Sequence, residues 1–185
     1  MVSLGQFGAT VAAAAALFTL GLAPTAQAQE STNRVAAETD WSVFVENNPT
    51  KECWAVSAPR ETVNTRGGQP VQVRRGDILL FATYRPGRGT PEVSFTGGYP
   101  FAPDSTVGLT IGNNEFQLFV GGSGGGEQWA WAGSPEDDQR IFAAMRGGAE
   151  AVLTARSSRG TNTRDTFSLF GFTAASTEAA RQCES

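Results

Sequence analysis

The chain contains no histidine and a single lysine, Lys51, and these absences exclude several common kinds of active site. Without histidine, Ser-His and Cys-His catalytic pairs cannot form, and histidine-based metal sites are excluded as well. One lysine leaves little scope for Schiff-base or Ser-Lys chemistry, and the spacing of P-loop or dinucleotide-binding motifs is also missing. Any proton transfer would therefore depend on carboxylates, tyrosine or main-chain groups.

Cysteine is scarce too, since the chain has only Cys53 and Cys183, separated by 130 positions. Because an even pair of cysteines usually closes in an oxidising compartment, we expect a disulfide bond between the start and the end of the domain. Two unpaired buried thiols are the alternative. A zinc site needs more ligands than this pair supplies, and we expect neither a metal nor a cofactor.

The N-terminus has the pattern of a secretory signal peptide. An apolar run over residues 10–22 is followed by Pro24, and Ala26-Gln27-Ala28 is the small-x-small pattern that signal peptidase reads. We predict cleavage near Ala28 and a periplasmic or secreted protein, either within the periplasm or at the outer surface. The run is short for a membrane span, so we expect none in the mature chain.

The predicted mature part carries the whole formal net charge of −4, because residues 1–28 contain no charged side chain. A mildly acidic protein lacks the basic surface that grips phosphate backbones, so we exclude nucleic acid as a partner. The remaining length suits one domain with a sizeable core.

From residue 40 onward, short apolar stretches alternate with Gly, Pro and Asn, which is typical of many short β-strands. The predicted strands cover residues 41–45, 53–56, 71–73, 77–84, 92–96, 107–111, 116–120 and 129–131. This spacing predicts an all-β fold, a single-domain β-sandwich of jelly-roll-like character with one or two short helices. We expect a signal peptide over 1–28, a flexible leader over 29–39 and the sandwich domain over 40–185.

One helix is well marked after Ser134, which is a suitable N-cap. Pro135 suits the first helical position, three acidic residues then favour the positive end of the helix dipole, and Gly147-Gly148 ends the helix. We expect a second short helix over residues 174–182, which would return the second cysteine to the first.

Two other motifs have structural interpretations. Arg75-Gly76-Asp77 spells an integrin-type tripeptide, but strand-like residues on both sides predict a simple turn. Trp129 and Trp131 share one strand face, since residues two apart point the same way. Exposed aromatics of this kind bind sugars or partner proteins, but we favour burial of this pair in the core.

A polar group near the C-terminus is the best candidate for a binding site. Its members are Arg156, Arg159, Thr161, Thr163, Arg164 and Asp165, with Tyr99 as a further candidate. Arginine forms bidentate hydrogen bonds with carboxylates, and the threonine hydroxyls would assist binding. In the alternative, which we favour, the arginines pair internally with Asp165 and with loop carbonyls.

Several segments along the chain share the pattern of one bacterial family. They are Ser158-Arg159-Gly160-Thr161, Asp165-Thr166-Phe167-Ser168-Leu169, Gly171-Phe172-Thr173-Ala174-Ala175 and Cys183, supported by Trp41, Glu52-Cys53-Trp54, Gly98-Tyr99-Pro100-Phe101, Phe116-Gln117-Leu118-Phe119, Ala130-Trp131 and Ala144-Met145-Arg146-Gly147. In these segments the chain resembles the invasion-associated locus B family of alphaproteobacterial exported proteins.

The resemblance implies export to the periplasm or the outer surface, and it carries over no catalytic residue. We expect a non-enzymatic envelope protein that binds an envelope protein, a host protein or a small ligand. The alternative is a carboxylate-dependent enzyme that acts on cell-wall or glycan material. Such an enzyme needs two acidic residues facing one cleft, about 5 to 10 Å apart.

Overall fold

The computed structural model describes residues 33–122, 124 and 126–184, so the predicted signal peptide lies outside the described residues. The described part contains twelve strands and two α-helices, which confirms the all-β class with its two short helices. The strands are β1 (Arg34–Glu38), β2 (Trp41–Glu46), β3 (Glu52–Ser57), β4 (Glu61–Arg66), β5 (Gln69–Pro70), β6 (Leu79–Tyr84), β7 (Glu92–Thr96), β8 (Thr106–Ile111), β9 (Asn114–Val120), β10 (Trp129–Ala132), β11 (Glu150–Arg156) and β12 (Asn162–Ser168). The helices are α1 (Pro135–Gly147) and α2 (Phe172–Glu184).

All described strands belong to one antiparallel sheet, in the order β1-β2-β3-β6-β7-β10-β9-β8-β11-β12-β4-β5. Phe95 on β7 contacts Phe167 on β12, with ring centroids 6.1 Å apart, although four strands separate them in the sheet. Trp41 on β2 likewise donates its indole N–H to the carbonyl of Ser168, at 3.0 Å. The sheet therefore folds over on itself, and its two halves form the facing layers around one core.

Helix α1 follows the local signals of the sequence. The Ser134 hydroxyl accepts a hydrogen bond from the backbone N–H of Asp137 at 3.2 Å, and Pro135 occupies the first turn. Ile141 and Met145 form the buried stripe of the helix. Within the described ranges, neither helix is long and apolar enough to cross a membrane.

Helix α2 packs against β2 and β3 and positions the disulfide bond. Cys183 near its end bonds to Cys53 on β3, with Cα atoms 5.6 Å apart, which confirms the predicted pairing. The helix buries Phe172, Ala175 and Ala179 in the same core. The bond thus links the end of α2 to β3, an interior strand of the sheet.

Two segments differ from the expectations. Residues 34–38, placed in the predicted flexible leader, form β1 and pair with β2, because Ala36 packs on the core and the backbone completes a sheet edge. Residues 71–73, a predicted strand, have no regular structure. The tripeptide that begins at Arg75 accordingly lies in an irregular segment between β5 and β6 and not at a tight turn, and its Arg75 side chain is only 6% exposed.

Candidate binding site

An open cleft of about 540 Å³ lies beside β4 and β12, where the segment before β6 meets the loop after β7. We call it the arginine cleft; it is lined by Arg66, Arg74, Arg75, Tyr99 and Arg159, together with the hydroxyl-bearing Ser158, Thr161 and Thr163. Four candidates from the sequence, Tyr99, Arg159, Thr161 and Thr163, therefore come together here.

The floor of the arginine cleft is a buried ion pair between Arg75 and Asp165, whose side chains are 6% and 0% exposed. The guanidinium donates to both carboxylate oxygens, with N···O distances of 2.7 and 2.6 Å, and its Nε donates to the carbonyl of Gly97 at 2.9 Å. Burial raises the pKa of Asp165, while the hydrogen bonds and charge of Arg75 act to lower it. Because the pair is bidentate, it fixes Arg75 in one orientation.

Tyr99 completes this floor. Its ring lies against the Arg75 guanidinium, 4.9 Å from the ring centroid, and its hydroxyl is 2.5 Å from the Thr163 hydroxyl. Burial raises the pKa of Tyr99, with the Thr163 hydrogen bond and the charge of Arg75 opposing the rise. Tyr99 is therefore held as a neutral phenol over a fixed cation.

The turn between β11 and β12 forms one wall of the cleft and carries Arg159. Ser157 and Thr161 close this turn: the Ser157 N–H donates to the Thr161 carbonyl, and the Thr161 N–H donates to the Ser157 hydroxyl. Ser158 donates its backbone N–H to the carbonyl of Pro100, at 2.9 Å, which ties the turn to the opposite loop. Arg159 is thus presented at the tip of a rigid turn with its side chain exposed.

Charge is distributed unevenly around the molecule. The ion pairs in which both partners are described residues involve six arginines: Arg60, Arg75, Arg85, Arg88, Arg140 and Arg181. In the cleft, Arg66 donates to the Thr161 hydroxyl at 2.8 Å, and neither Arg66, Arg74 nor Arg159 pairs with a described carboxylate. The described residues that line the cleft include no Asp or Glu. An acidic protein therefore keeps a local excess of positive charge in this cleft.

The remaining candidates lie elsewhere, because side chains alternate along a strand. On β12, Thr163 and Asp165 point inward, whereas Arg164 is exposed on the other face, where its guanidinium donates to the Thr166 hydroxyl at 3.3 Å. Arg156 on β11 is also exposed, opposite Asn162. The expected pairing of Asp165 with the arginines near it in sequence is therefore wrong; its partner is Arg75, 90 positions away.

Arg66, Arg74 and Arg75 are members of the cleft that the sequence did not suggest. One signal was present: Asp165 shares its strand face with the core residue Phe167. A carboxylate at an inward position needs a buried cation or donor as its partner. That requirement predicts a buried partner for Asp165, although it does not identify the residue that supplies it.

Metal binding and acid-base catalysis would need clustered ligands or free carboxylates. The described residues include no group of three or more His, Cys, Asp or Glu side chains able to hold a metal ion. Two carboxylates, Glu52 and Glu92, do face one groove, but Arg85 donates to both, at 2.6 and 3.1 Å. Each carboxylate is thus the acceptor of a structural ion pair.

Replacing Gly98 by alanine is expected to disturb the cleft. Gly98 has φ +71°, and a Cβ atom there would lie 2.5 Å from the carbonyl oxygen of Gly76, against which Gly98 packs. We expect a loss of about 2–4 kcal/mol in the free energy of unfolding, from left-handed strain plus a backbone clash. Urea unfolding measures this loss.

The matched control is Gly67→Ala, because Gly67 has φ +57° but a Cβ atom there would meet no other atom within 4 Å. It should lose only about 1–2 kcal/mol, from strain alone. Equal losses in the two variants would contradict the close approach of the two loops.

Most of the chain is similar to known proteins of one family. A family model described as "Invasion associated locus B (IalB) protein" matches residues 41–180. The crystal structure of invasion associated protein B from Bartonella henselae is similar with a TM-score of 0.55 and 14% sequence identity, over 80% of this chain and 96% of that one. At this identity the likeness shows the fold alone. No curated protein matches the chain.

Proposed function

The chain belongs to the invasion-associated locus B family, and on that premise we propose that it is a non-enzymatic envelope protein that captures a partner through the arginine cleft. The partner is an envelope or host protein, or a small ligand, and it presents an anionic group to the cleft. The observation that carries this proposal is the concentration of Arg66, Arg74 and Arg159, without carboxylate partners among the described residues, in one cleft of an acidic protein.

The chemistry of the cleft suits a carboxylate or a phosphate. Arginine presents a planar fork of N–H donors that matches either group, and charge-assisted hydrogen bonds of this kind are the strong ones. The Arg75–Asp165 pair beneath is already closed, so it acts as a support rather than as a donor to the ligand. Because the β11–β12 turn is rigid, little ordering of the backbone is needed on binding.

An extracytoplasmic location is consistent with the chemistry of the chain. The family is one of exported bacterial proteins, and a disulfide bond is typical of an oxidising compartment. We place the protein in the periplasm or at the cell surface, after cleavage of a signal peptide near Ala28.

Arg159→Ala is expected to weaken partner capture about tenfold or more, because it removes one charge-assisted contact worth about 1.5–3 kcal/mol. Crosslinking in the native envelope followed by quantitative mass spectrometry measures the capture. Higher salt should weaken capture by the unsubstituted protein, since exposed charges are screened.

Arg164→Ala is the matched control, because Arg164 is an exposed arginine on the opposite face of the adjoining strand. It should capture the partner as the unsubstituted protein does. Equal effects of the two substitutions, or a lower melting temperature with unchanged capture for Arg159→Ala, would count against the proposal.

A further inference from the structure

A second groove lies on the outer face of the sheet and shares no lining residue with the arginine cleft. It has a volume of about 470 Å³, and its apolar lining is aromatic: Trp54 on β3, Phe81 on β6, and Trp129 and Trp131 on β10. We call it the aromatic groove. Each of these side chains is half-buried, so the expected placement of Trp129 and Trp131 in the core is wrong.

The strand register explains why these rings share a face. Trp54 is opposite Thr83, and both Phe81 and Trp131 are opposite Ser94. Their sequence neighbours, such as Ala55 and Ala130, point to the core and are fully buried. Four aromatic rings therefore stand on the side of the sheet that faces away from the core.

Three of the rings lie in contact with one another. Trp129 and Trp131 are inclined by only 25°, with centroids 6.2 Å apart, and the centroid of Phe81 lies 5.4 Å from that of Trp129 with its ring tilted by 44°. Gly121 supports this arrangement, since a Cβ atom there would lie 2.6 Å from the Trp131 ring. The backbone of the adjoining loop thus packs directly against this tryptophan.

A polar rim borders the aromatic surface. Arg85 lies between Glu52 and Glu92 and donates to both carboxylates, which fixes all three side chains beside the rings. Carboxylate oxygens retain lone pairs after accepting one hydrogen bond, so they can accept further ones. The groove therefore combines flat apolar faces with oriented hydrogen-bonding groups, and its charges are largely paired.

We propose that the aromatic groove binds an uncharged oligosaccharide. A sugar ring has an apolar face of C–H groups and a rim of hydroxyls, which matches an aromatic surface edged by carboxylates and a guanidinium. An anionic ligand is disfavoured by Glu52 and Glu92.

Titration with the tetramer of N-acetylglucosamine and with cellotetraose tests this proposal in the full chain. We expect a change in tryptophan fluorescence and a dissociation constant that Trp131→Ala raises at least tenfold, with a smaller rise for Trp131→Phe, which keeps a flat ring. Circular dichroism checks that each variant is folded. Phe170→Ala is the matched control, because Phe170 is 58% exposed and lies outside the groove.

Two results would overturn the proposal. One is the absence of binding by both oligosaccharides at millimolar concentration. The other is a concentration-dependent dimer in sedimentation that Trp131→Ala dissolves, which would assign the groove to a second copy. Arg159→Ala should bind the sugars normally, so this test is independent of the arginine cleft.

Discussion

Asp165→Ala should lower the free energy of unfolding by about 3–5 kcal/mol, one of the two largest effects expected in this protein. The substitution leaves the Arg75 guanidinium, 6% exposed, without its bidentate partner. A buried charge that loses its counter-charge still carries its desolvation cost, which the ion pair no longer offsets. Domains typically have a free energy of unfolding of about 5–15 kcal/mol, so the expected loss is a large fraction of the total stability. Urea unfolding measures this loss, and the slope of the unfolding free energy against urea concentration should stay the same as in the unsubstituted protein.

Two controls identify the cause of this loss. Arg60→Ala breaks an ion pair of the same chemical type, but Arg60 is 58% exposed, so at most about 1 kcal/mol should be lost. The double variant Arg75→Met with Asp165→Leu removes both charges and should recover most of the stability lost in Asp165→Ala. A loss below about 1 kcal/mol in Asp165→Ala would contradict the buried pair.

Removing the disulfide bond should lower the free energy of unfolding by an amount comparable to that expected for Asp165→Ala. The bond joins Cys53 and Cys183 across 130 positions, and the chain-entropy model assigns about 5 kcal/mol to so long a closure. The double variant Cys53→Ala with Cys183→Ala should therefore unfold at clearly lower urea concentration, with a loss of about 2–5 kcal/mol. Small apolar replacements are suitable because Cys53 is fully buried.

The unsubstituted protein under reducing conditions is the matched control for this variant, and its stability should fall by a similar amount. Hydrogen exchange should still show protection in α2 at low denaturant concentration, because Phe172, Ala175 and Ala179 remain packed in the core. Equal unfolding midpoints for oxidised and reduced protein would show that the bond does not constrain the unfolded chain.

Local signals in the sequence predicted the elements that depend on local chemistry. The Ser134 cap and Pro135 predicted the start of α1, and the even cysteine pair predicted the disulfide bond. Alternating apolar residues predicted most of the strands and hence the all-β class. These features rest on backbone geometry within a few residues or, for the cysteines, on the absence of any other partner.

Pairings between distant segments could not be predicted in the same way. The residues around position 34 have no strand pattern of their own, and β1 forms because its backbone pairs with the edge of β2. Likewise, the sequence around Arg75 does not indicate that Asp165 lies within hydrogen-bonding distance. The separation of Arg164 from the cleft, in contrast, could have been predicted, since alternation along β12 places Arg164 on the face opposite to Thr163 and Asp165. Grouping these residues in one site treated neighbours in sequence as neighbours in space.

Site-specific photo-crosslinking in the native envelope tests the central proposal, that the arginine cleft holds a partner, most directly. A photo-crosslinking amino acid in place of Ser158 lies on the cleft wall, whereas one in place of Asn162 lies on the exposed face of β12. We predict a defined adduct from position 158 that position 162 does not give and that Arg159→Ala suppresses. The same adducts from both positions, or none from position 158, would contradict the assignment of the arginine cleft as the binding site.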